Sequence, residues 1–357
     1  MFRRWLLAAA WIVTFGGGST SAHENEQTTC DSEWTVFATG LNNPRHMRVG
    51  PDGMLYVAEA GLGGSELGTC AWEGNFFTEF GPYQGGLSGR VSRIRLNGTV
   101  ETVAEGFASF IDGTLEVLGT SDVAWIDKTL YVLTEGGGCT RGLPDHPAGV
   151  VRVGQGGSLT YVADITAFIR SNPVEVEPLC GPEGDCEPDG VPHSMVAVGR
   201  YLYVVETNHN SILRVNPRNG HIDRLHDLSA IDPAPIRIIR KGDDALISTF
   251  DGDILKMNLF RGPVKFLQSG YNPLVDLLHF RGRLYLLETF TVPWTPETGR
   301  VIRRNRDGSS TEIVTGLNFP MGLEEWRGDL FVSNNSYGQL GVAGTGQILR
   351  INCRGRH

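Results

Sequence analysis

Hard oxygen donors recur at one point of a repeated phrase. Glu59, Glu206 and Glu288 each stand four residues after a leucine that opens an apolar triplet (Leu55, Leu202, Leu284), and Asn334 stands four after Leu330. Thr134 and Phe250 occupy the same point in the two remaining copies. With Asp122, these carboxylates and the amide suit calcium or another divalent cation, which prefers oxygen ligands. A metal so held polarises a carbonyl while His46 or His193 moves a proton, the chemistry of a lactonase or esterase. Two residues after a proline, or after Thr120, the chain carries His46, Asp122, Ser194, Arg237, Val275 and Gly322. Ser194 and Arg237 are the candidate ligand-binding groups of that set. The structural alternative is that such polar residues cap backbone groups or pair with nearby arginines.

The phrase that positions them is Pro51-Asp52-Gly53-Met54-Leu55-Tyr56-Val57-Ala58-Glu59, a tight turn followed by a strand. Its core recurs as Leu130-Tyr131-Val132, Leu202-Tyr203-Val204, Leu246-Ile247-Ser248, Leu284-Tyr285-Leu286 and Leu330-Phe331-Val332. Six copies of a four-strand unit (a to d) predict an all-β, six-bladed β-propeller over residues 34–353. The sixth copy lacks strand d. Trp34 to Leu41 matches the fifth copy's strand d and exit, Thr311 to Leu317, so the N-terminal strand is expected to close the ring. Strand a should be innermost. The b-to-c links are long in copies one, two, five and six, and the long d-to-a segment Thr166 to Val191 falls on the same face, the expected binding face. Every copy also has a basic residue in strand c (Arg93, Arg152, Arg214, Lys256, Arg303, Arg350), read as structural cations lying between blades.

Composition narrows the class. A net charge of -9 without basic clusters argues against nucleic acid and anionic membranes. Arg3 and Arg4, the apolar run Trp5 to Phe15 and the small residues ending at Ala22 read as a signal peptide over 1–22, hence a secreted or periplasmic chain with no stable membrane insertion. A monomer binding a small molecule or a protein partner is expected. Six cysteines in an exported chain suggest three disulfides, and position favours Cys30–Cys353 across the ring closure, Cys180–Cys186 around a short loop, and Cys70–Cys139 between corresponding loops. No Gly-x-Ser-x-Gly elbow or His-Glu-x-x-His helix is present, so covalent catalysis has no support.

Thr39-Gly40-Leu41-Asn42-Asn43-Pro44-Arg45, the phrase from Pro51 to Gly61, Gly89-Arg90-Val91-Ser92-Arg93-Ile94 and Gly119-Thr120-Ser121-Asp122-Val123-Ala124 together resemble the ScyD/ScyE family of exported propellers. The resemblance spans about residues 34 to 351 and implies fold and export, while implying no particular reaction. His46 departs from the family wording, where Gly is typical. The fold also resembles SMP-30-type and lactonase propellers, which hold a divalent metal with a carboxylate, an Asn and an Asp. Glu59, Asn334 and Asp122 are the nearest matches. The leading expectation is ligand binding at the long-loop face, with a calcium-dependent lactonase and a quinone-dependent sugar dehydrogenase as alternatives.

Overall fold

The turn Pro51-Asp52-Gly53 forms as its chemistry requires: Asp52 Oδ1 accepts from Met54 N at 3.1 Å, and Gly53 takes φ +74°. It launches the strand Leu55–Glu59, buried along its whole length. The computed structural model describes residues 29–68, 70, 83–179, 186–260, 262–336 and 342–354; the expected signal peptide, 1–22, lies outside them. Six antiparallel sheets follow one another along the chain. Strand a is Pro44–Val49, Thr120–Ile126, Pro192–Val198, Pro235–Lys241, Leu274–Phe280 and Gly322–Trp326 in blades one to six. The first strands of successive blades pack on one another in a closed cycle, blade six returning to blade one. Their inner edges therefore surround an axial channel. The fold is a six-bladed β-propeller.

Closure follows the expected route. Thr35–Leu41 is the outer strand of blade six, paired antiparallel with Gly346–Ile351 from Thr35 opposite Arg350 to Leu41 opposite Gly346. Phe37 anchors it, edge-on to Trp326 and Phe331 at centroid distances of 5.8 and 5.2 Å. Just outside, Thr29–Cys30 pairs with Cys353–Arg354, and the Cys30–Cys353 disulfide joins residues 323 apart in sequence. The core is distributed as wedges between blades. Leu41, Met47, Val57, Phe331 and Ile348 fill one between blades six and one, while Met195, Leu202, Leu133 and Val150 fill another between blades two and three.

The structure departs from the sequence reading in local detail. Blade one's strands c and d are longer than expected, Gln84–Ile94 and Val100–Ile111, so part of the expected b-to-c loop is a hairpin rising above the ring. The blade-two to blade-three segment contains a helix, Ile165–Ser171, whose first turn is capped by Asp164 Oδ1 accepting from Ala167 N at 2.7 Å. The strand-c cations are structural where their partners are seen. Arg93 pairs with Asp52 and Glu101, Arg214 with Asp223, Lys256 with Asp244 and Arg350 with Asp329.

Candidate functional site

In blades one to five strand a begins with a bulge. Pro44, Thr120, Pro192, Pro235 and Leu274 pair with the last residue of strand b, and the register then slips before pairing resumes. A bulge re-aims side chains. The register makes His46, Asp122, Ser194, Arg237, Asp276 and Gly322 equivalent. Counting from Pro273 gives Val275 for blade five, but Leu274 holds the proline's place there, so Asp276 is the residue in register. In blade four the same pairing puts Thr249, not Phe250, at the end of strand b. Gly322 is required sterically, since a Cβ there would lie 2.6 Å from the Arg45 carbonyl oxygen.

These equivalent residues meet in the channel. Arg237, fully enclosed, reaches two carboxylates: its NH1 donates to Asp122 Oδ2 at 2.8 Å and its Nε lies 2.8 Å from Asp276 Oδ1. The Nε–H is not aimed at that oxygen, so the second contact is an ion pair without a linear hydrogen bond. Ser194 Oγ donates to Asp122 Oδ2 at 2.9 Å, and Arg48 lies 3.4 Å from the same oxygen. Burial alone would raise Asp122, but Arg48 and Arg237 overcome it and hold the carboxyl well below its usual range. Two residues deeper along strand a, half-buried Glu324 faces the channel; desolvation pushes its carboxyl up to about 7 against the pull of Arg48 and Arg237.

Toward the long-loop mouth, Asp276 begins a relay. Its Oδ2 lies 3.3 Å from His46 Nδ1, and His46 Nε2 lies 3.4 Å from His193 Nδ1. Burial, first, and then Arg237 lower the His46 pKa, while burial, His46 and Arg45 hold His193 well below its ordinary value. Both rings are neutral. A carboxylate at Nδ1 places that proton on His46 Nδ1, so His46 Nε2 accepts and His193 Nδ1 donates. His46 is fully buried and His193 keeps 5% of its surface open, so the relay ends at an imidazole that solvent touches.

The other sequence candidates stand elsewhere. Glu59 accepts from Asn42 N at 2.6 Å and Arg90 Nε at 2.8 Å, and also from Ser92 Oγ. Glu206 accepts from Val191 N at 2.7 Å and His209 N at 2.8 Å, and Glu288 from Asn272 N at 3.0 Å and Arg300 Nε at 2.5 Å. Asn334 Oδ1 accepts from Asn318 N at 2.8 Å. All four clamp the connection that leads into their own blade's strand a, so they are spread round the ring and do not converge. Among the described residues no group of three or more His, Cys, Asp or Glu is placed to hold a metal ion. The donors do not fit a divalent cation: the clamp oxygens receive backbone and guanidinium hydrogens, and Arg237 already supplies positive charge between Asp122 and Asp276.

Around the mouth, Cys70–Cys139 ties the loops of blades one and two together, and Cys180, the expected partner of Cys186, lies outside the described residues. Fully buried Arg141 knits the loops, donating to the carbonyls of Glu135, Gly137 and Gly190 at 2.5, 3.0 and 3.0 Å and to Glu187 Oε2 at 2.8 Å. Beside it, neither carboxylate oxygen of buried Glu135 has a hydrogen-bond partner, and desolvation pushes its carboxyl up to about 8.

No family model and no curated protein matches the chain. Solved structures do. They include a calcium-binding protein, regucalcin, from Agrobacterium tumefaciens (TM-score 0.54, 12% identity, covering 92% of this chain and 97% of that one). A Thermus thermophilus protein named for glucose dehydrogenase gives a TM-score of 0.52 at 16% identity, covering 89% and 99%. A Bacteroides thetaiotaomicron protein of unknown function gives 0.55 at 11% identity, covering 91% and 73%. At these identities the likeness is one of fold, the six-bladed β-propeller.

Proposed function

We propose that this chain is an exported propeller that binds a small molecule at its long-loop face, over the open end of the Asp276–His46–His193 relay. The observation that carries this reading is His193. Its Nδ1 is committed to His46 at 3.4 Å, and its Nε2 meets no protein group among the described residues. A fixed acceptor at the mouth of a disulfide-pinned loop face suits a ligand that brings a donor. The resemblance to ScyD/ScyE proteins supports the exported-propeller part of this reading, and two disulfides fit an oxidising compartment outside the cytosol. The test is a thermal-shift screen of small molecules on the native protein and on His193→Ala. At least one compound should raise the melting temperature of the first and not the second; if every hit survives the substitution, the site lies elsewhere.

A second reading, hydrolysis of an ester or lactone, is favoured by the same relay. His193, kept neutral, takes a proton from water as the water oxygen adds to the carbonyl; the acyl C–O bond then breaks and the leaving alkoxide takes that proton back. Asp276 and His46 hold His193 in the tautomer this requires. The donors around the channel offer calcium no site, so the step is written without one. Hydrolysis of p-nitrophenyl acetate and of a δ-lactone should survive chelator treatment and fall at least a hundredfold in His193→Gln; a rate unchanged in that variant refutes it. A quinone-dependent sugar dehydrogenase is checked by dye reduction with aldoses and added quinone.

A further inference from the structure

The mouth has two unlike halves. The residue just before each channel group is Arg45, Ser121 and His193 in blades one to three, but Ile236, Val275 and Met321 in blades four to six, all buried. Above the apolar half stands an aromatic shelf. Phe250 follows strand b of blade four, Phe290 and Trp294 lie in the b-to-c link of blade five, and Phe319 precedes strand a of blade six. Phe290 forms its base, 6.1 Å from Phe250, 5.3 Å from Trp294 and 6.5 Å from Phe319 between ring centroids. Phe250 packs down onto the cluster that contains Ile236, Val275 and Met321, which ties the shelf to the channel rim.

Two features mark this shelf as more than a stray apolar patch. Trp294 is 47% exposed and the neighbouring Val292 is 52% exposed, directly above the buried Phe290. Trp294 also sits at φ +52°. Bulky residues rarely adopt that region, and such strain gathers at ligand sites.

The polar half decides what kind of ring fits. The charges at the centre of the floor are already paired, Arg237 with Asp122 and Asp276, and Arg48 with Asp122. At the rim beside them His193 offers a lone pair. We propose that the ligand is a neutral hydroxyarene, its ring packed on Trp294 and Phe250 and its hydroxyl donating to His193 Nε2. This rests on the reading of His193 as the binding acceptor and adds the ligand class.

The test uses the disulfide-bonded protein and three probes in calorimetric titrations: 2-naphthol, 2-methylnaphthalene and D-glucose. 2-Naphthol should bind about fivefold more tightly than 2-methylnaphthalene, the size of one hydrogen bond. Trp294→Ala should weaken both by about tenfold and Trp294→Phe by much less. His193→Ala should erase the preference for naphthol while leaving 2-methylnaphthalene unchanged. Equal binding of the two arenes, or a Trp294→Ala variant that binds as the native protein does, overturns the inference. If D-glucose binds, depends on His193 and the arenes do not bind, the ligand class is wrong while the His193 site stands. If no probe binds, the hydroxyarene assignment is refuted. Melting temperatures of the variants separate lost contacts from lost folding.

Discussion

Asp276→Asn is an isosteric change at the root of the relay. Four nitrogens lie against the carboxylate's two oxygens: Oδ1 accepts from Leu277 N at 2.7 Å and is ion-paired with Arg237 Nε at 2.8 Å, while Oδ2 accepts from Leu323 N at 2.8 Å and faces His46 Nδ1 at 3.3 Å. An amide has one acceptor oxygen. Whichever way it turns, its NH2 points at a backbone N–H and at one further donor. At 2.8 Å and an effective dielectric near 20, the attraction to Arg237 is about 6 kcal/mol before desolvation is subtracted. Asp122 still partners Arg237 in the variant, which limits the loss. Removing one member of a buried pair, with one N–H left unsatisfied, costs about 3–5 kcal/mol, a large share of the roughly 5–15 kcal/mol typical of a folded domain. Urea denaturation followed by circular dichroism should show this drop. An Arg237→Met/Asp276→Asn double mutant should lose less than the sum of the singles by on the order of 1–3 kcal/mol. Asp223→Asn, which breaks the exposed Arg214 pair, should cost about 0–1 kcal/mol. A loss under about 1 kcal/mol for Asp276→Asn, or an additive cycle, would refute the account of the channel as a coupled charge network.

Replacing Cys30 and Cys353 by serine should lower stability by about 5 kcal/mol under the loop-entropy model, read as a lower urea midpoint; an unchanged midpoint means that blade six is held by its strand pairing alone. Stability should also depend on pH from two sides. Folded Glu135 keeps its proton to about pH 8, while the unfolded carboxyl loses it near 4.5, so stability falls as pH rises between those values, and Glu135→Gln should flatten that limb. His46 and His193 stay neutral in the fold, so stability is lost as pH drops below 6.5, and His46→Asn should flatten that limb in thermal melts. Glu59→Gln should destabilise by roughly 1–3 kcal/mol, and added millimolar calcium should not move the melting temperature of either protein; a calcium-dependent rise in the native protein alone would restore Glu59 as a metal ligand.

The architecture is legible in the sequence because it rests on local chemistry repeated six times. A turn such as Pro51-Asp52-Gly53 and a β-prone triplet such as Leu55-Tyr56-Val57 specify a strand wherever they occur, and the match of Trp34–Leu41 to Thr311–Leu317 reveals where the ring closes. The Cys30–Cys353 and Cys70–Cys139 pairings follow once the copies are aligned, since ends of the array and corresponding loops must be neighbours. His46, His193, Ser194, Arg237 and Asp122 are likewise found by counting from the start of strand a.

What the sequence leaves open is which polar side chains face one another. Glu59, Glu206, Glu288 and Asn334 share a register and suggest a ring of ligands, yet each turns back to clamp its own blade, because the connection entering strand a presents a backbone N–H (Asn42, Val191, Asn272, Asn318) in need of an acceptor. Asp276 escapes the count because Leu274 stands where other blades place proline, and no local signal reveals that one-residue slip. The residues of the relay lie in blades one, three and five, up to 230 positions apart, and meet only because ring closure brings alternate blades to a common axis. Local propensity fixes strands and turns, whereas a site assembled across an axis exists only after all six blades have closed around it.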